Sequence, residues 1–205
     1  RPLMPALDVS LCSDALLLLG AGTISSFEDG TDKATVAGNL YPGVRDALIT
    51  AYRWRFTIKK VQLARLSDAP ATEWAYHFQQ PSDCLRICQM FDSAAAGANP
   101  FLEYEVFGQT IHADVTSLWA DYQFRPDEAT FPPYFKQLLR YALAADLAHS
   151  IVDSDSKADY WWQKAFGSPG EGGRGGYFAN CRGLDAQQQP GQQITSFPLL
   201  EARMS

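Results

Sequence analysis

The sequence contains no apolar run long enough to cross a membrane. Its most apolar uncharged stretch, residues 15–27, has 13 residues, whereas a spanning helix needs about 20. A later uncharged stretch, residues 186–200, is rich in Gln. The first apolar cluster follows Asp8 and Asp14 instead of a basic segment, which does not fit a signal peptide. We therefore expect neither a membrane span nor a signal peptide.

The chain also lacks an excess of basic residues. Lys and Arg number 17 and Asp and Glu 23, so the net charge is −6 and the pI is about 5.0. This balance excludes the overall positive field of a dedicated nucleic-acid binder. Hydrophobic residues make up 46% of the 205 positions, enough for a sizeable core. Length and composition predict one folded domain, or one domain with an insertion.

Cysteines are few, and their spacing does not indicate a metal site. Four cysteines are too few for a disulfide framework in a chain of this length, so reduced thiols are expected. Cys84 and Cys88 lie four residues apart in a predicted strand, and C-x-x-C is absent. We expect both to be ordinary half-buried side chains.

Catalytic signatures are absent as well. H-E-x-x-H and G-x-S-x-G do not occur, residues 20–22 lack the third glycine of a dinucleotide fingerprint, and residues 172–176 lack the Lys-Ser/Thr of a P-loop. His149 lies on the apolar stripe of a predicted helix, which indicates a core or interface histidine, whereas His77 and His112 fall on strands and can face solvent. No catalytic, metal or cofactor site is predicted. An enzyme with residues distant in sequence remains an alternative.

The N-terminal third is predicted to be helical. A first helix covers about residues 10–19. A second begins near Asp32, where apolar residues recur at spacings of three and four up to residue 51. Pro42 lies inside it and predicts a kink, because proline cannot donate to the carbonyl of Gly38. A third helix is predicted over Trp54–Leu66.

After Pro70 the spacing of apolar residues changes. Alternating apolar and polar residues predict four or five short antiparallel strands, with a loop over residues 94–100. The strands are expected near residues 74–78, 85–87, 102–106, 110–114 and 118–124.

Helix returns at Pro132. Residues 135–152 carry a second apolar stripe at spacings of three and four, and a further helix is predicted over residues 155–166. Six glycines among residues 167–176 end it, and residues 177–205 are predicted to form a mostly extended or partner-ordered tail.

Helices at both ends with strands between them predict an α+β fold. The N- and C-terminal halves would form one helical bundle, with a small antiparallel sheet inserted between them. The corresponding segments are the N-terminal helices 8–68, the β region 71–125, the C-terminal helices 131–166, and the Gly-rich hinge with its tail 167–205.

Basic residues are concentrated in one part of this acidic chain. Residues 45–65 hold six basic residues and one acidic residue, a net charge of +5, so the rest of the chain carries −11. Such a segment is either a solvated helix face or a surface that meets an acidic partner or DNA.

Several short motifs, in order along the chain, carry a resemblance to a known family. The motifs are CSDAL at 12–16, LG at 19–20, ISSF at 24–27, LYP at 40–42, VRD at 44–46, YRWRF at 52–56, YHF at 76–78, PSDCL at 81–85, FPPYF at 131–135 and LDAQ at 184–187. Together they resemble the head-to-tail adaptors of short-tailed bacteriophages, the tail tubular protein A family. The match covers most of residues 8–165, and it departs from the family pattern at residues 167–176.

The resemblance implies a structural protein of the virion neck, assembled in the host cytoplasm. Its subunits would form a homo-oligomeric, dodecameric ring that binds the portal protein, offers a platform to the tail nozzle protein and lets DNA pass without sequence-specific binding. Neither catalysis nor a cofactor is implied. On this basis we expect the basic side chains to face an adjacent subunit or the portal, and the tail to reach the portal. The expected interface residues are Arg45, Arg53, Arg55, Lys59, Lys60, Leu184, Asp185, Ile194, Phe197 and Leu199.

The main alternative is a small regulatory protein that binds nucleic acid through a basic helix over residues 53–65. That alternative predicts DNA binding with a steep dependence on salt, whereas a free adaptor subunit would bind DNA weakly or not at all.

Overall fold

The computed structural model describes residues 6–95 and 98–188, which form a helical bundle and two antiparallel sheets. The predicted α+β class is confirmed. The helices are α1 (Leu7–Leu19), α2 (Asp32–Ala51), α3 (Pro133–Val152), α4 (Asp155–Phe166) and α5 (Gly176–Ala186). The strands are β1 (Ile58–Gln62), β2 (Ala64–Arg65), β3 (Tyr76–Gln79), β4 (Cys84–Phe91), β5 (Tyr104–Phe107), β6 (Thr110–Ala113) and β7 (Trp119–Phe124).

Helix α3 forms the centre of the bundle. Phe135, Leu138 and Leu139 of its apolar stripe are fully buried, and helices α1, α2, α4 and α5 all pack against it. The predicted helices α1, α2, α3 and α4 are therefore confirmed, with α1 beginning three residues earlier than expected. Burial of these α3 side chains against helices from both ends of the sequence stabilises the packing of the two ends on each other.

Helix α2 continues through Pro42 up to Ala51. The glycine one turn earlier has a packing role, because a Cβ on Gly38 would lie 3.3 Å from the ring of Phe27. Gly38 thus admits the Phe27 ring against the helix. At the start of α2, the side chain of Thr31 accepts a hydrogen bond from the backbone N–H of Ala34.

The third predicted helix, Trp54–Leu66, is wrong. A short 3-10 helix over Arg55–Thr57 is followed by strands β1 and β2. Strand β1 pairs with β7 over its whole length, with Ile58 opposite Gln123 and Gln62 opposite Trp119. Local propensities carry no information about pairing with a strand more than fifty residues away. Here that pairing outweighs the weak helical preference of the segment.

The strands form two sheets instead of one meander. One sheet has the order β1-β7-β4 and the other β2-β3-β6-β5, and all pairs are antiparallel. The second sheet and its neighbours bury a small core of their own around Phe78, Ile111 and Leu118. The prediction of four or five strands was too low for the described residues, mainly because β1 and β2 had been assigned to a helix.

The C-terminal segment is also more ordered than predicted. Residues 176–186 form helix α5 instead of an extended tail, and Phe178, Cys181 and Asp185 are buried against the bundle. Their spacing of three and four is helical, but the buried acidic residue and Gly183 concealed the pattern. Residues 189–205 lie outside the described residues.

Candidate interaction surfaces

Trp54 lies at the centre of the aromatic core where the bundle meets the sheets. It is fully buried, and its indole N–H donates to the carbonyl of Leu48 at 2.8 Å. The rings of Phe135 and Phe178 approach it edge-on, with centroids at 5.5 and 5.6 Å. This geometry suits aromatic side chains and joins α2, α3 and α5 around one residue.

Asp185 fastens α5 to this core. Its carboxylate is 1% exposed, accepts the Tyr134 hydroxyl at 2.8 Å and accepts the backbone N–H of Arg55 at 3.2 Å. Burial, together with the neighbouring carboxylate, raises the pKa of Tyr134 well above its ordinary value. Asp185 is therefore enclosed by its own chain in this structure, whereas the sequence placed it on a partner interface.

Gln123 joins the first sheet to the end of α2. The nitrogen of its buried side-chain amide lies 2.6 and 2.8 Å from the carbonyl oxygens of Ile49 and Tyr52 and 2.9 Å from the Thr57 hydroxyl oxygen, so its two N–H hydrogens are shared among three acceptors. Strand β7 is thereby fixed to the helix end and to the 3-10 turn. Three acceptors around one buried amide nitrogen make this junction specific in geometry.

Arg45 takes part in an internal ion-pair network. Its guanidinium lies 2.7 Å from Glu128 and 3.0 Å from Asp46, and only 12% of its side chain is exposed. Arg125 donates to both oxygens of Asp46, one of which is the oxygen that Arg45 contacts. Burial alone would raise the pKa of Asp46, but hydrogen bonds from Arg125 and Arg45 hold it below its ordinary value.

The remaining basic side chains of β1 are paired as well. Lys59 lies 2.9 Å from Asp83 and its ammonium lies over the Phe124 ring. Lys60 lies over the Phe91 ring and 4.0 Å from Asp121. The Lys59 ammonium, with the Tyr122 hydroxyl, lowers the pKa of Asp83 although slight burial opposes the change.

Arg53 shares Asp121 with Lys60, at 2.9 Å, and also donates to the side chain of Gln89. Acidic residues from distant parts of the chain thus accompany the basic segment. A helix presenting free cations to DNA, as the nucleic-acid alternative requires, is therefore not formed by residues 53–65.

The described members of the predicted interface set lie in several parts of the fold. Lys59 and Lys60 are on β1, and Arg53 precedes that strand and contacts the same sheet through Asp121 and Gln89. Arg45 lies on α2 in the bundle. Arg55 and Asp185 come together through the backbone of Arg55, and Leu184 beside them is exposed. The other three expected residues, Ile194, Phe197 and Leu199, lie outside the described residues.

The histidines differ from expectation. His77 and His112 are buried neighbours on β3 and β6, with ring centroids 5.4 Å apart, and both ring nitrogens of His112 contact threonine hydroxyls. His149 is not in the core, because its side chain is 72% exposed and pairs with Asp155 at 2.8 Å. The α3 stripe loses its cover there, where the chain reverses at Asp153 in the left-handed conformation.

Chemical groups that could support catalysis or metal binding are sparse in the described part of the chain. Within residues 6–95 and 98–188, no group of three His, Cys, Asp or Glu side chains could hold a metal ion. Burial raises the pKa of Cys12 and of Cys181 to about 12, so these thiols stay protonated at neutral pH. Cys84 and Cys88 are half-buried, as predicted.

Exposed apolar side chains are the surface features that the sequence patterns missed. Leu102, Val106 and Phe107 are exposed at edge strand β5 and the loop before it. Leu7, Leu17 and Leu18 are exposed on α1, and Tyr160 and Trp162 on α4. No helix among the described residues is long and apolar enough to cross a membrane. Exposed apolar patches on such a chain are typical of contacts with other proteins.

The chain matches no model of a known protein family, and a comparison with curated proteins finds no match.

Proposed function

We propose that this chain is one subunit of a head-to-tail adaptor ring that joins the portal to the tail nozzle of a short-tailed bacteriophage. The ring would be dodecameric, would surround the exit path of the DNA and would have no catalytic activity. Its place would be the neck of the virion. The portal and nozzle proteins would be its partners.

The main support is that separate pieces of the family resemblance meet at one place in the fold. The YRWRF motif at 52–56 supplies the central Trp54 and the Arg55 backbone N–H, and FPPYF at 131–135 supplies Tyr134 and Phe135. The LDAQ motif at 184–187 supplies Asp185, which binds both. Motifs up to 130 residues apart therefore build one structural unit, which is expected if they are related to one fold and not chance similarities.

The surface chemistry supports a structural partner more than a substrate or DNA. The basic side chains of Arg45, Arg53, Lys59 and Lys60 are paired internally, and the chain is acidic overall. A channel with few unpaired cations would let DNA slide instead of holding it. Exposed leucine and aromatic side chains on the helices and on β5 provide area for protein contacts.

Electron microscopy of the purified protein, alone and mixed with the portal protein from the same source, tests this proposal. Classification by rotational symmetry should show a ring, either free or on the portal. Monomers that never join the portal would refute it. In parallel, titration with duplex DNA at several salt concentrations should show weak or no binding. A steep decrease of a strong affinity with salt would favour the nucleic-acid alternative instead.

A further inference from the structure

Strand β5 forms an uncovered edge of the second sheet. In the order β2-β3-β6-β5 it pairs with β6, from Tyr104 opposite Ala113 to Phe107 opposite Thr110, and no other described strand lies beside it. Val106 and Phe107 are 44% and 40% exposed. Such an edge leaves backbone N–H and C=O groups open to pairing with a further strand.

The register of the hairpin identifies these backbone groups. A two-residue turn joins β5 to β6, and its first residue, Gly108, has a φ of +59°, which is typical of the primed turns of such hairpins. The residues that flank such a turn exchange hydrogen bonds, and bonded and non-bonded pairs then alternate along the antiparallel ladder. Phe107 and Glu105 therefore bond to β6, whereas the N–H and C=O groups of Tyr104 and Val106 point away from it.

The side chains of this edge differ between its two faces. Tyr104 packs against the small core that contains Ile111, and Val106 lies opposite Ile111 on the same face. Glu105 is on the other face because successive side chains of a strand alternate, and Glu103 continues its row in the sequence. An added strand would therefore meet carboxylates on one face and apolar side chains on the other.

The acidic side chains around this edge lack cationic partners within the described part of the chain. Glu105 accepts the indole N–H of Trp74 at 3.2 Å. The ion pairs of the described residues include none of four acidic residues on β5 or in the segments beside it: Glu73, Glu103, Glu105 and Asp114. Residues 66–118 hold seven acidic residues and one basic residue, a net charge of −6. The electrostatic complement of this edge is a basic strand.

A second copy of this chain does not supply such a strand. Two β5 edges side by side would bring Glu105 of both copies close together, and like charges on neighbouring strands are destabilising. Strand β1 is also an edge, but its Lys59 and Lys60 already lie over aromatic rings and near carboxylates of their own sheet. Residues 52–56 alternate basic and aromatic side chains, but Trp54 among them is fully buried.

We infer that the outer edge of β5 binds an extended segment of a different protein, in which Lys or Arg alternates with apolar residues. The segment continues the sheet as a further strand and forms backbone hydrogen bonds with Tyr104 and Val106. Its cations lie beside Glu103 and Glu105, and its apolar side chains lie beside Val106. This inference goes beyond the adaptor ring and does not depend on it, because it concerns one sheet edge of a single subunit.

Amide hydrogen exchange of the full chain, measured by NMR with a synthetic peptide, tests this inference. The probe is the acetylated and amidated peptide KVKVKVK, and EVEVEVE is the matched control peptide. Binding of KVKVKVK, with a dissociation constant below about 1 mM, should slow exchange of the Tyr104 and Val106 amides at least about tenfold at saturation. EVEVEVE should leave these amides unchanged, since it brings like charge to Glu103 and Glu105.

Two variants separate the backbone contribution from the charge. Val106→Pro removes one outward N–H but keeps the ladder to β6, because proline is tolerated on the free side of an edge strand. It should weaken binding of KVKVKVK about tenfold, as the loss of one backbone hydrogen bond predicts. Glu103→Lys should also weaken binding, most strongly at low salt. Glu28→Lys, at an exposed position before α2, is the charge-matched control and should bind like the parent chain.

Several results would overturn the inference. Absence of protection by KVKVKVK, or equal protection by EVEVEVE, would show that the edge does not select a basic strand. Protection that Glu103→Lys and Val106→Pro both retain would place the peptide elsewhere on the protein. The Glu103→Lys arm stands by itself if Val106→Pro disturbs the hairpin, which the exchange of the Glu105 and Phe107 amides reports.

Discussion

Replacing Asp185 by alanine should destabilise the whole bundle, although this residue was expected on a partner surface. The variant removes the acceptor for two donors, the Tyr134 hydroxyl and the Arg55 backbone N–H. An unsatisfied buried donor costs about 1–3 kcal/mol, so two of them predict a loss of about 2–6 kcal/mol in the free energy of unfolding. For a chain of this size that corresponds to a decrease in Tm of about 4–24 °C.

Urea unfolding, followed by far-UV circular dichroism and by tryptophan fluorescence, measures this loss directly. The neighbouring Leu184→Ala is the matched control, because Leu184 is exposed and its truncation should change stability by less than about 0.5 kcal/mol. Asp185→Asn keeps one acceptor oxygen and should lie between the two. The Tyr134→Phe variant should lose less than Asp185→Ala, since Arg55 keeps its partner.

The double variant Tyr134→Phe with Asp185→Ala tests whether the two groups act together. If they do, its loss is smaller than the sum of the single losses, because the same hydrogen bond is removed only once. An Asp185→Ala variant as stable as Leu184→Ala would refute the reasoning, since the carboxylate would then not be holding α5 to the bundle.

Three further predictions concern the core, the Gly-rich turn and the acid limb of stability. Trp54→Ala should reduce the free energy of unfolding in urea by about 3–5 kcal/mol, because Trp54 is fully buried. Trp162→Ala, at a half-exposed tryptophan, should reduce it by less than about 1.5 kcal/mol. Equal losses would contradict the central position of Trp54. Gly176→Ala should destabilise the fold by at least about 2 kcal/mol, because φ of Gly176 is +55° and a Cβ there would lie 2.6 Å from the backbone N of Gly167. Gly183→Ala is the control, since a Cβ there meets open space in the same helix, and it should be neutral or stabilising by up to about 1 kcal/mol. The reverse order of the two melting temperatures would count against this explanation. The pKa of Asp46 is lower in the folded state, so the stability that this carboxylate contributes is complete above the ordinary carboxyl pKa of about 3.9 and is lost as pH falls through the folded-state pKa. Asp46→Asn should therefore lose stability less steeply below about pH 4 than the parent chain does. If stability falls equally steeply in both proteins, the Arg45 and Arg125 contacts contribute nothing to it.

Local sequence patterns were sufficient for the long helices. In α2 and α3 the apolar residues recur at spacings of three and four, and these stripes are buried except at their C-terminal ends, where Ala51 and His149 are exposed. Strands such as β3 and β7 were predicted for a similar reason, since their alternation with period two is also a local signal, although the polar residues His77 and Gln123 of that alternation are buried.

Local sequence patterns were not sufficient to predict the structure where pairing with a distant segment determines it. Residues 58–62 became a strand because β7 lies beside them, and no local feature names that partner. Several basic side chains of the segment 45–65 are paired for the same reason, because Asp83, Asp121 and Glu128 are brought to them by the fold. Net charge along the chain therefore gave a misleading picture of the surface.

The sequence by itself determined the α+β class, the four main helices and the order of motifs that suggests a phage adaptor. Only the tertiary structure decided that Asp185 is buried, that α5 belongs to the bundle, and that residues 58–62 form a strand beside β7. The physical reason is that helical periodicity and cap residues are local, whereas the partner of a carboxylate or of an apolar face depends on which distant segment packs beside it.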